Sequence, residues 1–246
     1  MVDPIKVLAP MAGITDAKFC LKLVPSGFEM VTLGGYNIDK ATIDAGVKII
    51  QRGRPEFKIK EETYFDVIKE QAIQLKENWE GNVSVNLRSI TPDPIIEISK
   101  IKEIDVVEIN AHCRQKELTD IGCGQAMLQN PELLEDFVKE TVKKSSAKVS
   151  VKFRANVTNV DDMEIASIIE STSCDFIHVD AMKPGFNHAD LDIVQKISQK
   201  VETFIIGNNS IVDIESARKM LNAGANGISI ARAAMGGQIG FDLSKI

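Results

Sequence analysis

Several features that would assign a chain to a special class are missing from these 246 residues. No apolar run is long enough to span a bilayer, and the beginning, MVDPIKVLAP, has no signal-peptide pattern. The four cysteines are scattered without a CxxC pair, which argues against a zinc site or a disulfide framework. We therefore expect a cytoplasmic protein that has no membrane contact and no bound metal.

Aromatic residues and net positive charge are also scarce. Aromatics make up 5% of the chain, and 29 basic against 35 acidic residues give a net charge of −6. Proteins that bind nucleic acid in general neutralise phosphates and stack on bases, so neither property favours that class. A local basic patch remains compatible with this composition. The candidates for it are Arg52, Arg54, Lys58 and Lys60, together with Arg114 and Lys116.

Eight runs rich in β-branched residues alternate with helical patterns. The predicted strands are 5–12, 29–34, 82–88, 104–110, 148–154, 175–180, 202–207 and 226–231. The predicted helices are 94–100, 131–144, 160–171, 189–201 and 213–223, with a further one through Trp79 and with caps at Thr158–Asn159 and Ser210. This alternation indicates a parallel sheet, and eight units close it into a single-domain (β/α)₈ TIM barrel over residues 1–246.

An open, doubly wound sheet is the main alternative fold. Such a sheet would be expected to carry a glycine-rich phosphate loop after its first strand. The chain has APMAGITD at that position, without a GxGxxG pattern. The barrel is therefore the better prediction.

Four successive predicted strands carry polar residues on one face. Alternate residues of a barrel strand point inward, and here these are Ser84, Asn86, Arg88, Glu108, Asn110, Ser150, Lys152, Arg154, Phe176, His178 and Asp180. Burying Lys or Glu is costly unless the charge is paired or bound to a ligand. An ion pair between Glu108 and Lys152 is the purely structural explanation. A sizeable polar ligand would account for all four strands together.

The loops after the last two strands suggest a phosphate site, because barrels often bind phosphate there. They contain Gly207-Asn208-Asn209 and Ala231-Arg232-Ala233. Gly207 would allow a close backbone approach, and Arg232 would supply a forked donor.

One cysteine stands out from the other three. Cys113 lies just beyond an inward Asn, between His112 and Arg114, which favours a reactive or proton-donating thiol over a packing role. We expect Cys20, Cys123 and Cys174 to pack in the interior. His188 is expected to face solvent near a helix start.

Six segments in this order resemble the tRNA-dihydrouridine synthase family of FMN-binding barrels, which is related to the dihydroorotate dehydrogenases. The two more specific ones are APMAGITDAKF (9–19) and EINAHCRQKELTDIGCGQAML (108–128). The others are VKFR (151–154), IHVDA (177–181), IIGNNSI (205–211) and ISIARAAMG (228–236). The resemblance covers essentially the whole chain.

The resemblance implies a cofactor, a reaction and a set of residues. FMN would be held by Pro10, Met11, Ala12, Asn86, Asn110, Lys152, His178, Gly207, Asn208, Ala231 and Arg232. Lys152 would stabilise negative charge on the reduced flavin, and Cys113 would protonate the substrate, with His112 as the next candidate acid. NADPH or NADH would be the electron donor.

The sequence also departs from this family at several positions. His112 and Arg114 flank the cysteine where the family has Gly and Pro, and VDAMKPG follows strand six in place of an Arg-rich motif. No C-terminal helical RNA-binding domain is expected after strand eight. The expected substrate is a uracil-like ring in tRNA. The alternatives are a free pyrimidine-like small molecule, as in dihydroorotate dehydrogenases, and a non-catalytic flavin- or phosphate-binding barrel.

Overall fold

Eight parallel strands close on one another in chain order, with the first paired to the last. The computed structural model describes residues 3–246. The strands are β1 (Ile5–Leu8), β2 (Met30–Asn37), β3 (Asn82–Arg88), β4 (Val106–Ala111), β5 (Lys148–Arg154), β6 (Phe176–Asp180), β7 (Phe204–Asn208) and β8 (Gly227–Ile230). The predicted (β/α)₈ barrel is confirmed.

Helices surround the barrel and connect its strands. They are α1 (Ala17–Leu23), α2 (Lys40–Gln51), α3 (Tyr64–Lys76), α4 (Asp93–Ile98), α5 (Lys116–Thr119), α6 (Pro131–Lys144), α7 (Asp162–Ser171), α8 (Leu191–Lys200) and α9 (Ile214–Asn222). Within residues 3–246, none of them combines the length and apolar character needed to cross a membrane.

The strands divide their side chains between two apolar regions. Outward residues such as Val85, Ile109 and Val151 are fully buried in the large core between sheet and helices. A smaller apolar cluster fills the lower end of the barrel interior with Val7, Met30, Val106, Phe176 and Ile206. The inward residues above this cluster are polar, so the predicted alternation along β3 to β6 is confirmed and leads upward to a polar mouth.

Two strands end well away from the predicted positions, and the other boundaries agree or differ by one or two residues. β1 ends at Leu8, because Pro10 follows shortly and cannot donate a ladder hydrogen bond. β2 runs on to Asn37 through a register shift between Gly34 and Tyr36. Glycine is rare in strands, so the sequence pattern ended that strand too early.

The predicted helix caps were also misplaced. Asp161 caps α7 by accepting from the Met163 amide at 2.9 Å, and Asp213 caps α9 by accepting from the Ser216 amide at 2.7 Å. At the predicted positions, Asn159 and Ser210 have φ of 62° and 52°, unlike the extended backbone of an N-cap. The helix expected to run through Trp79 ends earlier, at Lys76.

Candidate active site

A cavity of about 670 Å³ opens at the C-terminal ends of the strands. Its walls include eleven of the residues proposed from the sequence. These are Pro10, Met11, Ala12, Asn86, Asn110, His112, Cys113, Lys152, Asn208, Ala231 and Arg232. Six different strands and the loops after them contribute to this set, which is how a barrel of this type assembles a site.

Two proposed site residues do not line the cavity. His178 is completely buried behind Lys152. Gly207 faces the helix layer, where an added Cβ would lie 2.5 Å from the Met220 Sδ atom. This glycine is therefore needed for close packing of β7 against α9.

Glu108 is the centre of a buried hydrogen-bond network inside the barrel. Its carboxylate accepts from Asn86 Nδ2 at 2.8 Å and from Ser150 Oγ at 3.0 Å, and it lies 2.7 Å from His178 Nδ1. Burial opposes its ionisation, but the interactions with His178 and the charge of Lys152 outweigh that effect and lower the pKa of Glu108 to about 2. Glu108 is thus a fixed anion beneath the mouth.

Lys152 is a buried cation that contacts no carboxylate of the described residues. Its Nζ lies 2.9 Å from His178 Nε2, so His178 separates it from Glu108, and the direct ion pair considered from the sequence is not formed. Burial lowers the pKa of Lys152, and the nearby Glu108 charge opposes this shift. An ammonium has three N–H donors. Within residues 3–246, only His178 accepts a hydrogen bond from Lys152, and at 2% exposure Lys152 has little contact with water. Two donors are therefore available to a ligand in the cavity.

The loop that carries Cys113 is fixed by the residue three positions before it. Asn110 Oδ1 accepts from the amides of His112 at 3.2 Å and Cys113 at 2.9 Å. On the other side, Gly124 (φ 66°) comes so close that an added Cβ would lie 2.3 Å from the Cys113 carbonyl oxygen. Only glycine fits there, and the thiol is thereby held at the cavity wall with 8% of the residue exposed.

His112 belongs to a second polar cluster, at the rim. Its Nε2 lies 2.8 Å from Asp180 Oδ2, and Arg154 Nη1 approaches the same oxygen at 3.1 Å. Burial lowers the pKa of His112 to about 4, although Asp180 opposes the shift. Asn209 Nδ2 donates to the other Asp180 oxygen at 2.7 Å. Asp180 therefore links the Cys113 loop to the loop after β7.

An ion pair at the opposite wall was not anticipated from the sequence. Arg88 Nη1 lies 2.7 Å from Glu56 Oε2, and both side chains are almost completely buried. Arg88 Nε is buried with no hydrogen-bond partner among the described residues. The two residues are 32 positions apart in the sequence, and their ion pair holds the segment after α2 over the mouth. The periodicity of the sequence does not predict such a contact, although it did predict that Arg88 points inward.

The mouth is strongly basic although the chain is acidic. Seven basic side chains line the cavity against two acidic ones: Arg54, Arg88, Arg114, Lys152, Arg154, Lys183 and Arg232 against Glu56 and Asp180. Both carboxylates are already paired with arginines. Low-dielectric walls strengthen the electrostatic field of these basic side chains, and the cavity therefore suits an anionic ligand.

The two loops proposed for phosphate meet at one side of this cavity. Arg232 is exposed, and its Nη2 approaches Ser210 Oγ at 3.4 Å. Within residues 3–246, no protein group accepts from the backbone amides of Asn209, Ser210 or Arg232. Unused amides beside a guanidinium fit the donor set that a phosphate needs.

The basic residues named from the sequence fall into two groups. Arg52, Arg54, Arg114 and Lys116 line one shallow depression beside the mouth, and Arg54 and Arg114 line the cavity as well. Arg52 is held by Glu117 at 2.8 Å, and Lys116 by Asp120 at 2.6 Å. Lys58 and Lys60 line a separate groove beside α2. Arg54 and Arg114 have no such ion pair among the described residues.

Known proteins are similar to this chain in fold and in sequence. It is similar to the structure of FabK from Thermotoga maritima, with a TM-score of 0.59 and 15% identity over 93% of this chain and 58% of that one. At this identity the likeness concerns the fold alone. An uncharacterized protein of Methanocaldococcus jannaschii is 37% identical over 97% of this chain and 92% of its own length.

Relatives whose names state a function are similar over most of this chain. The tRNA-dihydrouridine synthase B of Pseudomonas syringae pv. tomato is 26% identical over 94% of this chain, which spans 64% of that enzyme. A probable tRNA-dihydrouridine synthase of Rhodobacter capsulatus is 26% identical over 96% of this chain and 69% of its own length. The family model "Dihydrouridine synthase (Dus)" matches residues 61–238, well over half of the sequence. The chain therefore belongs to the dihydrouridine synthase family.

Proposed function

We propose that this protein is an FMN-dependent tRNA-dihydrouridine synthase that takes its electrons from NADPH or NADH in the cytoplasm. The observation that carries the proposal is Lys152, a buried lysine at the wall of a basic cavity, two of whose ammonium donors have no acceptor in the part of the chain that the structure describes. A buried cation without a carboxylate partner is costly unless a ligand accepts its hydrogen bonds. Relatives named tRNA-dihydrouridine synthase support tRNA as the substrate, and the resemblance of the sequence to the FMN-binding barrels of that family supports FMN as the ligand.

The residues of the mouth fit FMN at both ends of the cofactor. Lys152 and Asn86 would hold the polar edge of the ring, with Pro10, Met11 and Ala12 beside it. Asn208, Arg232 and the unused amides of the adjoining loops would hold a single phosphate. When bound, the flavin supplies a hydride to an activated C=C bond of a uracil-like ring.

The chain itself would supply the proton and the electrostatics of the reaction. Cys113 lies at the cavity wall, in a loop fixed by Asn110, and its Sγ would deliver a proton to the ring carbon next to the one that receives the hydride. Lys152 would stabilise negative charge on the reduced cofactor. His178 orients Lys152 from behind, while Glu108 orients His178. These buried contacts leave Lys152 little freedom to move.

The protein is expected to bind FMN and not FAD, because the phosphate side offers one site without a dinucleotide loop. Releasing the bound chromophore from purified protein and recording its mass distinguishes the two. An apoprotein preparation reconstituted with each flavin is the control for loss during purification. Recovery of FAD, or no flavin after reconstitution, would contradict the cofactor assignment.

Binding of tRNA is expected to be weak and strongly salt-dependent, and to use the rim of the mouth. Replacing Arg54 and Arg114 together by Ala should lower the slope of log Kd against log salt by about one to two units, since each lost phosphate contact removes about 0.7–0.9. A tRNA titration at several salt concentrations measures this slope.

The matched control for this titration is a Lys58→Ala, Lys60→Ala variant, which removes the same charge from the separate groove beside α2. Its slope should stay close to that of the wild type. Equal slopes for the wild type and both variants would rule out the rim of the mouth as the tRNA-binding surface. Absence of tRNA binding at low salt would favour a free pyrimidine as the substrate, which a turnover assay with that compound would then test.

A further inference from the structure

One aromatic side chain differs from all the others in its exposure. The chain has 10 Phe, 2 Tyr and 1 Trp, all within the described residues, and only Phe186 is exposed, at 59%. Single exposed apolar residues are ordinary on protein surfaces. Phe186, however, lies at the edge of the basic cavity, among its lining residues.

The loop that presents Phe186 is held at its base. Met182 and Ala189 pair across it as an antiparallel bridge, and Asn156 Nδ2 donates to the Met182 carbonyl at 2.8 Å. The far side is fastened by Ser210 Oγ, which donates to the Asn187 carbonyl at 3.0 Å. These contacts hold the loop in place. Binding a partner through Phe186 therefore costs less conformational entropy than it would on an unrestrained loop.

The neighbours of Phe186 are those of a surface that stacks on bases. The His188 ring lies with its centroid 5.1 Å away at an interplanar angle of 51°. Lys183 Nζ lies 5.4 Å from the Phe186 ring centroid, close enough for a cation–π contact. Aromatic rings beside cations bind unpaired bases of single-stranded nucleic acid by stacking, while the cations attract the backbone.

We propose that Phe186, together with Lys183 and His188, is a stacking platform for an unpaired RNA base adjacent to the uridine that enters the cavity. This inference rests on the proposed function, because it assumes that the occupant of the mouth is part of an RNA chain. Charge complementarity favours RNA, since the surrounding lining is basic on an acidic protein. The platform would discriminate an unpaired loop from a duplex, whose bases present no free face.

The test compares three substitutions at Phe186 in the holoprotein. Phe186→Ala and Phe186→Leu should each raise the KM for unmodified tRNA by about fivefold to a hundredfold, the usual effect of losing a stacked base. Phe186→Tyr should retain the wild-type KM, because it keeps the aromatic face. The kcat, the FMN affinity and the rate of flavin reduction by the nicotinamide should be unchanged in all three. Leu133→Ala, at an exposed apolar residue on α6, is the control.

A second measurement separates this inference from the proposed function. Titrating the same proteins with a short single-stranded RNA that contains 2-aminopurine detects stacking directly by fluorescence quenching. If the wild type quenches the probe and the Ala variant does not, the platform stands even when no dihydrouridine forms. An unchanged KM together with unchanged quenching in the Ala variant would overturn it. So would a loss of FMN affinity equal to the loss of tRNA affinity, since Phe186 would then cover the cofactor.

Discussion

Cys113→Ala should leave the fold and FMN binding intact and lower turnover by about 10²–10⁴-fold, the usual contribution of a positioned general acid. The loss concerns only the proton that Sγ would deliver. The cysteine loop should survive because its hydrogen bonds run from the Cys113 backbone to Asn110 and from Gln125 to the Cys113 carbonyl. The stability cost should be small beside the roughly 2–5 kcal/mol of large core truncations.

Steady-state product formation, thermal unfolding and FMN content are the three measurements for this variant. Cys123→Ala is the matched control, because Cys123 is buried in the same small apolar cluster but does not line the cavity. The control should keep its turnover. Wild-type turnover in Cys113→Ala would remove this thiol from the mechanism and make His112 the next acid to test.

Lys152→Ala is expected to raise the FMN dissociation constant by about 10- to 100-fold and to slow flavin reduction by the nicotinamide. Hydrogen bonds to a charged group contribute about 1.5–3 kcal/mol, and each 1.4 kcal/mol is a factor of ten in affinity. The substitution also removes the cation that lies against His178, so the unfolding temperature of the apoprotein must be recorded in parallel.

The control for this variant lies on the same strand. Lys148→Ala removes an exposed lysine at the opposite end of β5, far from the mouth, and should change neither FMN affinity nor reduction. If Lys152→Ala lowers thermal stability but leaves both flavin measurements unchanged, Lys152 serves only to support His178. That outcome would remove the main argument for the cofactor.

The sequence was a good guide to the barrel and to the residues that point into it. Each strand has one face toward the helices and one toward the interior, so alternation alone placed Asn86, Glu108, Lys152 and His178 inward. The parallel register then brought them together in pairs, with Asn86 opposite Glu108 and Lys152 opposite His178. Local patterns carry this information because each strand has the same period.

Contacts between loops could not be predicted in the same way. The pairing of Glu56 with Arg88 and the link between His112 and Asp180 join distant positions, and no periodicity connects them. Gly207 shows a different limit, because glycine permits close approach of either a ligand or a neighbouring side chain, and here Met220 is the neighbour. The exposure of Phe186 likewise depends on how its loop is braced.

The most direct test of the whole account is mass analysis of an unmodified tRNA transcript after incubation with the FMN-loaded protein and NADPH or NADH. We predict that a uridine gains two hydrogen atoms, that the gain requires both flavin and nicotinamide, and that it is about 10²–10⁴-fold slower in Cys113→Ala. A transcript whose mass does not change, although the flavin is bound and is reduced by the nicotinamide, would contradict the assignment of tRNA as the substrate.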